Sequence, residues 1–109
     1  MAVGPLLAHS VYFRLKDNST EARKKFIASC KKYLTDHPGT AFFAVGGRAL
    51  DIEWAVSDRG FDVVLLLVFE SKAAHDEYQD SPRHQQFLEE NEPNWAEIRV
   101  FDAYVEQEY

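Results

Sequence analysis

Several features that mark specialised proteins are missing from this sequence. Its 109 residues include a single cysteine, Cys30. No internal disulfide can form, so nothing calls for an oxidising compartment and a cytoplasmic setting is expected. Positive charge is scarce, with 12 Lys and Arg against 18 Asp and Glu and a net charge of −6. That balance argues against a nucleic-acid partner, which asks for a basic face. There is no long hydrophobic run. The most apolar stretch, Val63 to Phe69, ends at Glu70, far short of the roughly 20 residues that cross a bilayer, so no membrane partner is expected. The opening segment, Met1 to Leu7, lacks the positive flank and the apolar length of a secretory leader. No repeat or low-complexity segment is present. Glycine-rich phosphate loops and the nucleophile elbow are absent, and no two of the four histidines stand four residues apart. No cofactor and no metal are therefore expected.

What is present is a composition for folding. Hydrophobic residues make up 46% of the chain, with 8 Phe, 5 Tyr and 2 Trp. This is enough for a modest core and rules out disorder. The length fits one domain over residues 1–109. Residues 6–16 alternate, with Leu7, His9, Val11, Phe13 and Leu15 on one parity, and read as a strand. Asn18, with Glu21 three residues on, is the expected N-cap of a helix whose apolar stripe is Ala22, Phe26, Ile27, Cys30 and Leu34. His37-Pro38-Gly39 ends it. Residues 41–48 form a second strand, where Gly46-Gly47 suggests a bulge or a close backbone approach. A connection over 49–60 leads to a third strand over 61–70. Ser71 caps a short helix to about Gln79, and Ser81-Pro82 restarts helix as far as Glu92. Residues 97–105 form the last strand.

The order β-α-β-β-α-β, with the second helix broken, predicts an α+β, ferredoxin-like protomer with both helices on one face of a four-stranded antiparallel sheet. The third strand is apolar at both parities: Val63, Leu65, Leu67 and Phe69 alternate with Val64, Leu66 and Val68. Such a strand expects both faces covered, and the helices cover one. Two covers are open. A second copy stacked through a twofold axis makes a homodimeric α/β barrel; alternatively, the 49–60 connection, with Leu50, Ile52, Trp54 and Val56, folds over the face or acts as its lid.

The candidate chemical residues are those the topology gathers. His9 lies at the inward parity of the first strand. His84 shares a helical stripe with Phe87, Leu88 and Asn91, and Tyr78 sits across the helix break. The three line an expected gap between helices and sheet. They fit either histidines bonded within the core or a site at which a neutral imidazole moves protons near pH 7. His75 reads as solvent-facing beside Asp76, His37 as a helix-end residue, and Glu89-Glu90-Glu92 as a solvated helix face.

At these residues the chain resembles the Dabb family, the stress-responsive dimeric α/β-barrel domains. The matching segments are His9-Ser10-Val11-Tyr12-Phe13-Arg14-Leu15-Lys16, Phe61-Asp62-Val63, Ala74 through Phe87 with its Tyr-x-x-x-Pro-x-His core, and Val100-Phe101-Asp102-Ala103-Tyr104. The resemblance spans nearly the whole chain and implies a ferredoxin-like protomer in a dimeric barrel. Members include plant stress proteins without an assigned reaction and olivetolic acid cyclase, a polyketide cyclase. Its base matches His84, its partner tyrosine Tyr78 and its strand histidine His9. The resemblance thus implies a small, mostly apolar carbonyl ligand, with His84 as base, Tyr78 orienting it and His9 in support. The other role it implies is a non-enzymatic stress or structural homodimer. Ser81 departs from the pattern, since the cyclase and many relatives carry histidine before the proline.

Overall fold

A computed structural model of the chain describes residues 5–108; the first four residues of the Met1–Leu7 stretch lie outside the described residues. The elements are β1 (Leu6–Leu15), α1 (Thr20–Leu34), β2 (Thr40–Gly47), β3 (Val63–Phe69), α2 (Lys72–Asp80), α3 (Pro82–Asn91), one 3-10 turn (Glu92–Asn94) and β4 (Trp95–Val105). The sheet runs β2-β3-β1-β4 with every neighbouring pair antiparallel. This is the ferredoxin-like protomer expected from the sequence, with β3 and β1 in the centre and β4 at an edge. No helix among the described residues is long and apolar enough to cross a membrane.

Alternation decides the layers. Side chains of one parity share a sheet face, and Leu7, His9, Val11, Phe13 and Leu15 of β1 are all buried, as are Val63, Leu65, Leu67 and Phe69 of β3. Register places His9 opposite Leu67, Val11 opposite Leu65 and Phe13 opposite Val63, so both strands present these residues to the helices. The helices answer with Phe26, Cys30, Tyr33 and Leu34 from α1, Tyr78 from α2 and Phe87 from α3. Phe13 meets Phe26 edge-on at 4.7 Å between ring centroids, and Trp95 packs against both, 5.0 Å from Phe13 and 6.3 Å from Phe26. Burial pushes the Cys30 thiol up to about 12, leaving it an inert core group.

Three local expectations are corrected. The cap of α1 is Ser19, not Asn18: its hydroxyl accepts from the Ala22 amide at 3.2 Å. Asp17 accepts from the Ser19 amide at 3.1 Å and fixes that turn, while the Asn18 side chain turns away to Asp62. Gly46 and Gly47 pair regularly with Val64 and Val63; the irregularity of β2 lies between Thr40 and Phe42. The glycine that the fold requires is Gly39, at φ +79°, where a Cβ would come within 2.4 Å of the Ala74 Cβ. Lastly, β3 begins at Val63 because Asp62 is spent on its neighbours. Its amide donates to the Phe13 carbonyl at 2.7 Å and its carboxylate accepts from the Leu15 amide at 2.8 Å.

The second face of the sheet carries Val64, Leu66 and Val68 from β3, with Phe42 and Ala44 opposite them on β2 and Phe101 on β4. Those three β3 residues are only partly buried, and Phe42 and Phe101 are more than half exposed. The connection does not fold over this surface as a cover. Leu50, Trp54 and Val56 are exposed, although its far end is tied to the sheet by Asp58 and Arg99 at 3.0 Å.

Candidate functional site

The break between α2 and α3 positions the chemistry. Proline disfavours helical backbone in the residue before it, and Ser81 is extended at ψ 147°. Ser81 serves both helices: its amide donates to the Tyr78 carbonyl at 3.2 Å, and its hydroxyl accepts from the His84 amide at 3.1 Å. The last turn of α2 and the first turn of α3 are thereby folded against each other. Tyr78 and His84 meet edge-on with ring centroids 4.8 Å apart.

His9 approaches the same tyrosine from β1, at 6.1 Å between centroids. The three residues singled out in the sequence are therefore brought together. His37 joins them from behind, 5.0 Å from the Tyr78 ring, and its Nε2 donates to the Tyr33 carbonyl at 2.8 Å. Three of the four histidines of the chain thus pack around one buried tyrosine.

The expectation for His75 is corrected. It does pair with Asp76, Nδ1 to Oδ1 at 3.0 Å, yet its ring turns inward to within 5.1 Å of His9 and 5.7 Å of Phe69. The signal is in the spacing: residues 75 and 78 are three apart on one helix and share a face. Sequence reasoning misses Asp102 altogether. It stands opposite His9 across the β1–β4 ladder, and its Oδ1 lies 2.5 Å from His9 Nδ1. A carboxylate on the otherwise apolar inward parity of β4, in line with Ile98, Val100 and Tyr104, is the clue; only the register assigns it a partner.

A pocket of about 400 Å³ opens between the helices and β4, because the helices do not reach over the edge strand. Ile98 and Val100 point to the helix side but remain more than 40% exposed. Val11, Phe13, Leu65, Phe87 and Trp95 supply apolar walls, and His9, His75, Tyr78, His84 and Asp102 are among the polar groups, with Gln79 and Glu92 beside them. The volume and character suit a small ligand.

Electrostatics sets the protonation states. His84 is 8% exposed, and its Nδ1 is buried without a hydrogen-bond partner. Burial, and then the neighbouring His9, His37 and His75, lower its pKa to about 4. His84 is therefore a neutral imidazole at physiological pH. Burial also pushes the Tyr78 phenol well above its ordinary value, so it stays a neutral hydroxyl. His9 Nδ1 donates to the Asp102 carboxylate, which can only accept.

Comparison with known proteins agrees with this frame. The family model for the stress responsive A/B barrel domain, Dabb, matches residues 7–105. The chain belongs to the Dabb family. Among solved structures, a Dabb protein with a ferredoxin-like fold from Mesorhizobium loti is 24% identical, with 95% of this chain and 99% of that one covered and a TM-score of 0.76. Hydroxynitrile lyase from Passiflora edulis is 23% identical over 98% and 99% of the two chains, TM-score 0.75. A dimeric ferredoxin-like protein of unknown function from Thermobifida fusca is 19% identical over 96% and 95%, TM-score 0.78. At these identities the likeness is one of fold. No curated protein matches the chain.

Proposed function

We propose that this Dabb domain binds a small, mostly apolar carbonyl compound in the pocket beside β4 and transforms it by acid–base chemistry. His84 is the base, Tyr78 orients it and the substrate, and His9 supports them through its Asp102-backed ring. One observation carries the reading: His84 lines a largely apolar pocket and holds a buried ring nitrogen without a hydrogen-bond partner, kept neutral by its surroundings. A core histidine would ordinarily have found a partner for that nitrogen. Proton abstraction next to a carbonyl needs a neutral base and a nearby O–H donor, which Tyr78 supplies; the lowered pKa keeps His84 unprotonated and also makes it a weaker base than free imidazole. The resemblance to olivetolic acid cyclase supports aldol-type cyclisation as a member of this reaction class. The hydroxynitrile lyase of the same fold supports lyase chemistry on this scaffold.

The assembly belongs to the proposal. Two copies stack through the apolar second face, closing a barrel around Leu66, Val68, Phe42 and Phe101. Solved neighbours described as dimeric support this. The competing role, a stress or structural homodimer without a substrate, draws on the same apolar face. A lone, buried, reduced cysteine suits a cytoplasmic setting for either.

The test is a melting-temperature screen with medium-chain aldehydes, ketones and β-diketones. A true ligand raises the melting temperature of the wild type by mass action, about 2.7 kcal/mol of stabilisation at a hundred times Kd. His84→Ala is expected to fold with unchanged or higher stability, because it removes a buried unpaired polar group, and to lose the shift. No shift in the wild type, together with a destabilised His84→Ala, assigns the histidine to the core and favours the structural role.

A further inference from the structure

We infer that His9, His75 and Asp102 form a binding site for one divalent transition-metal ion of the zinc type at the mouth of the pocket. This site shares His9 and Asp102 with the proposed function but does not depend on the carbonyl chemistry of His84 and Tyr78. The three side chains come from β1, α2 and β4, so no spacing in the sequence announces them. A ring nitrogen of each histidine and a carboxylate oxygen of the aspartate lie within 4.8 Å of one another.

The donor set selects the metal. Two imidazoles and one carboxylate suit zinc and its first-row neighbours, whereas magnesium and calcium take oxygen ligands. Three protein ligands also leave a coordination position open, the pattern of a site that receives water or a ligand oxygen. That position faces the pocket, since all three residues line it.

The surroundings are those of a prepared ligand set. His75 Nδ1 lies 3.0 Å from Asp76, which is itself held by Lys72 at 2.6 Å. A ligating histidine commonly gives its second N–H to a carboxylate in this way. Its Nε2 keeps a lone pair, with only a long contact of 3.4 Å to the Gln79 side-chain nitrogen. On the other side, the proton between His9 Nδ1 and Asp102, at 2.5 Å, occupies the place a cation can take. Bonds of 2.0–2.2 Å put tetrahedral ligand atoms about 3.4 Å apart. The widest pair must therefore close and the His9–Asp102 pair, at 2.5 Å, must open; the two less buried ligands have room to move, the His75 side chain being 17% exposed and that of Asp102 45%.

Zinc titration of tag-free, chelator-treated protein by calorimetry tests this. One Zn2+ per chain is expected, at micromolar affinity or tighter. His75→Ala and the isosteric Asp102→Asn are each expected to weaken it at least tenfold, while His84→Ala retains it. Cobalt(II) gives a second readout on the wild type, an intense visible band from a four-coordinate site. Absence of both zinc binding and the cobalt band overturns the assignment, as does equal binding in His75→Ala. Loss on His84→Ala instead would move the metal to the inner histidine and overturn it equally. Loss of carbonyl binding with zinc binding intact would count against the proposed function alone.

Discussion

A single ring nitrogen concentrates the functional argument at the residue scale. His84 has an unfolded-state pKa near 6.5 and a folded value of about 4, so the unfolded chain takes up this proton first as pH falls. Its contribution to stability is complete above about pH 6.5 and is lost progressively down to about pH 4. Each tenfold difference in proton affinity between the two states corresponds to about 1.4 kcal/mol, so the loss across that window is at most about 3.5 kcal/mol, reduced by solvent screening at the pocket wall. Urea unfolding at pH 7.5, 6 and 5 is expected to show a steeper decline for the wild type than for His84→Ala. The other groups facing this region are His9 with Asp102, His75 with Asp76, and His37 on the Tyr33 carbonyl. They are common to both proteins, so the difference between the two curves isolates His84. Parallel curves would mean that His84 is solvated and titrates normally.

Elements explain why these residues meet. Ser81 is the pivot, ending α2 and capping α3 at once. Ser81→Ala removes the cap and is expected to cost about 1 kcal/mol, measurable by denaturant midpoint. It should also loosen the turn bearing His84 and so weaken ligand-induced stabilisation by more than the stability loss alone predicts. A loss of stability with full ligand response would limit Ser81 to capping. Much of this arrangement is legible in the chain. The alternation of β1 sets the inward parity of His9, and Ser81-Pro82 marks the helix break that pairs Tyr78 with His84. Asp102 is not legible, because its role depends on which residue faces it across a ladder 93 positions away in sequence. His75 misleads because its neighbour Asp76 carries a half-exposed carboxylate, and the adjacent charge masks its three-residue relation to Tyr78. The cap of α1 falls one position later than the sequence suggests, decided by whether Asp17 or Asn18 closes the preceding turn.

For the molecule as a whole, the central strand dictates the assembly. The helices bury one parity of β3 completely, while Val64, Leu66 and Val68 form part of an apolar face that the 49–60 connection leaves open. A surface of that kind on a small protein calls for a partner, and a second copy stacked through a twofold axis is the proposed cover. Covering it also braces β1 and β4 from behind, the two strands that hold His9 and Asp102 in register. Light scattering coupled to gel filtration at micromolar concentration tests this most directly. The account predicts a particle of twice the 12.5 kDa chain mass for the wild type, shifted to the single-chain mass by Leu66→Asp. A wild type that elutes and scatters as one 12.5 kDa chain would contradict it.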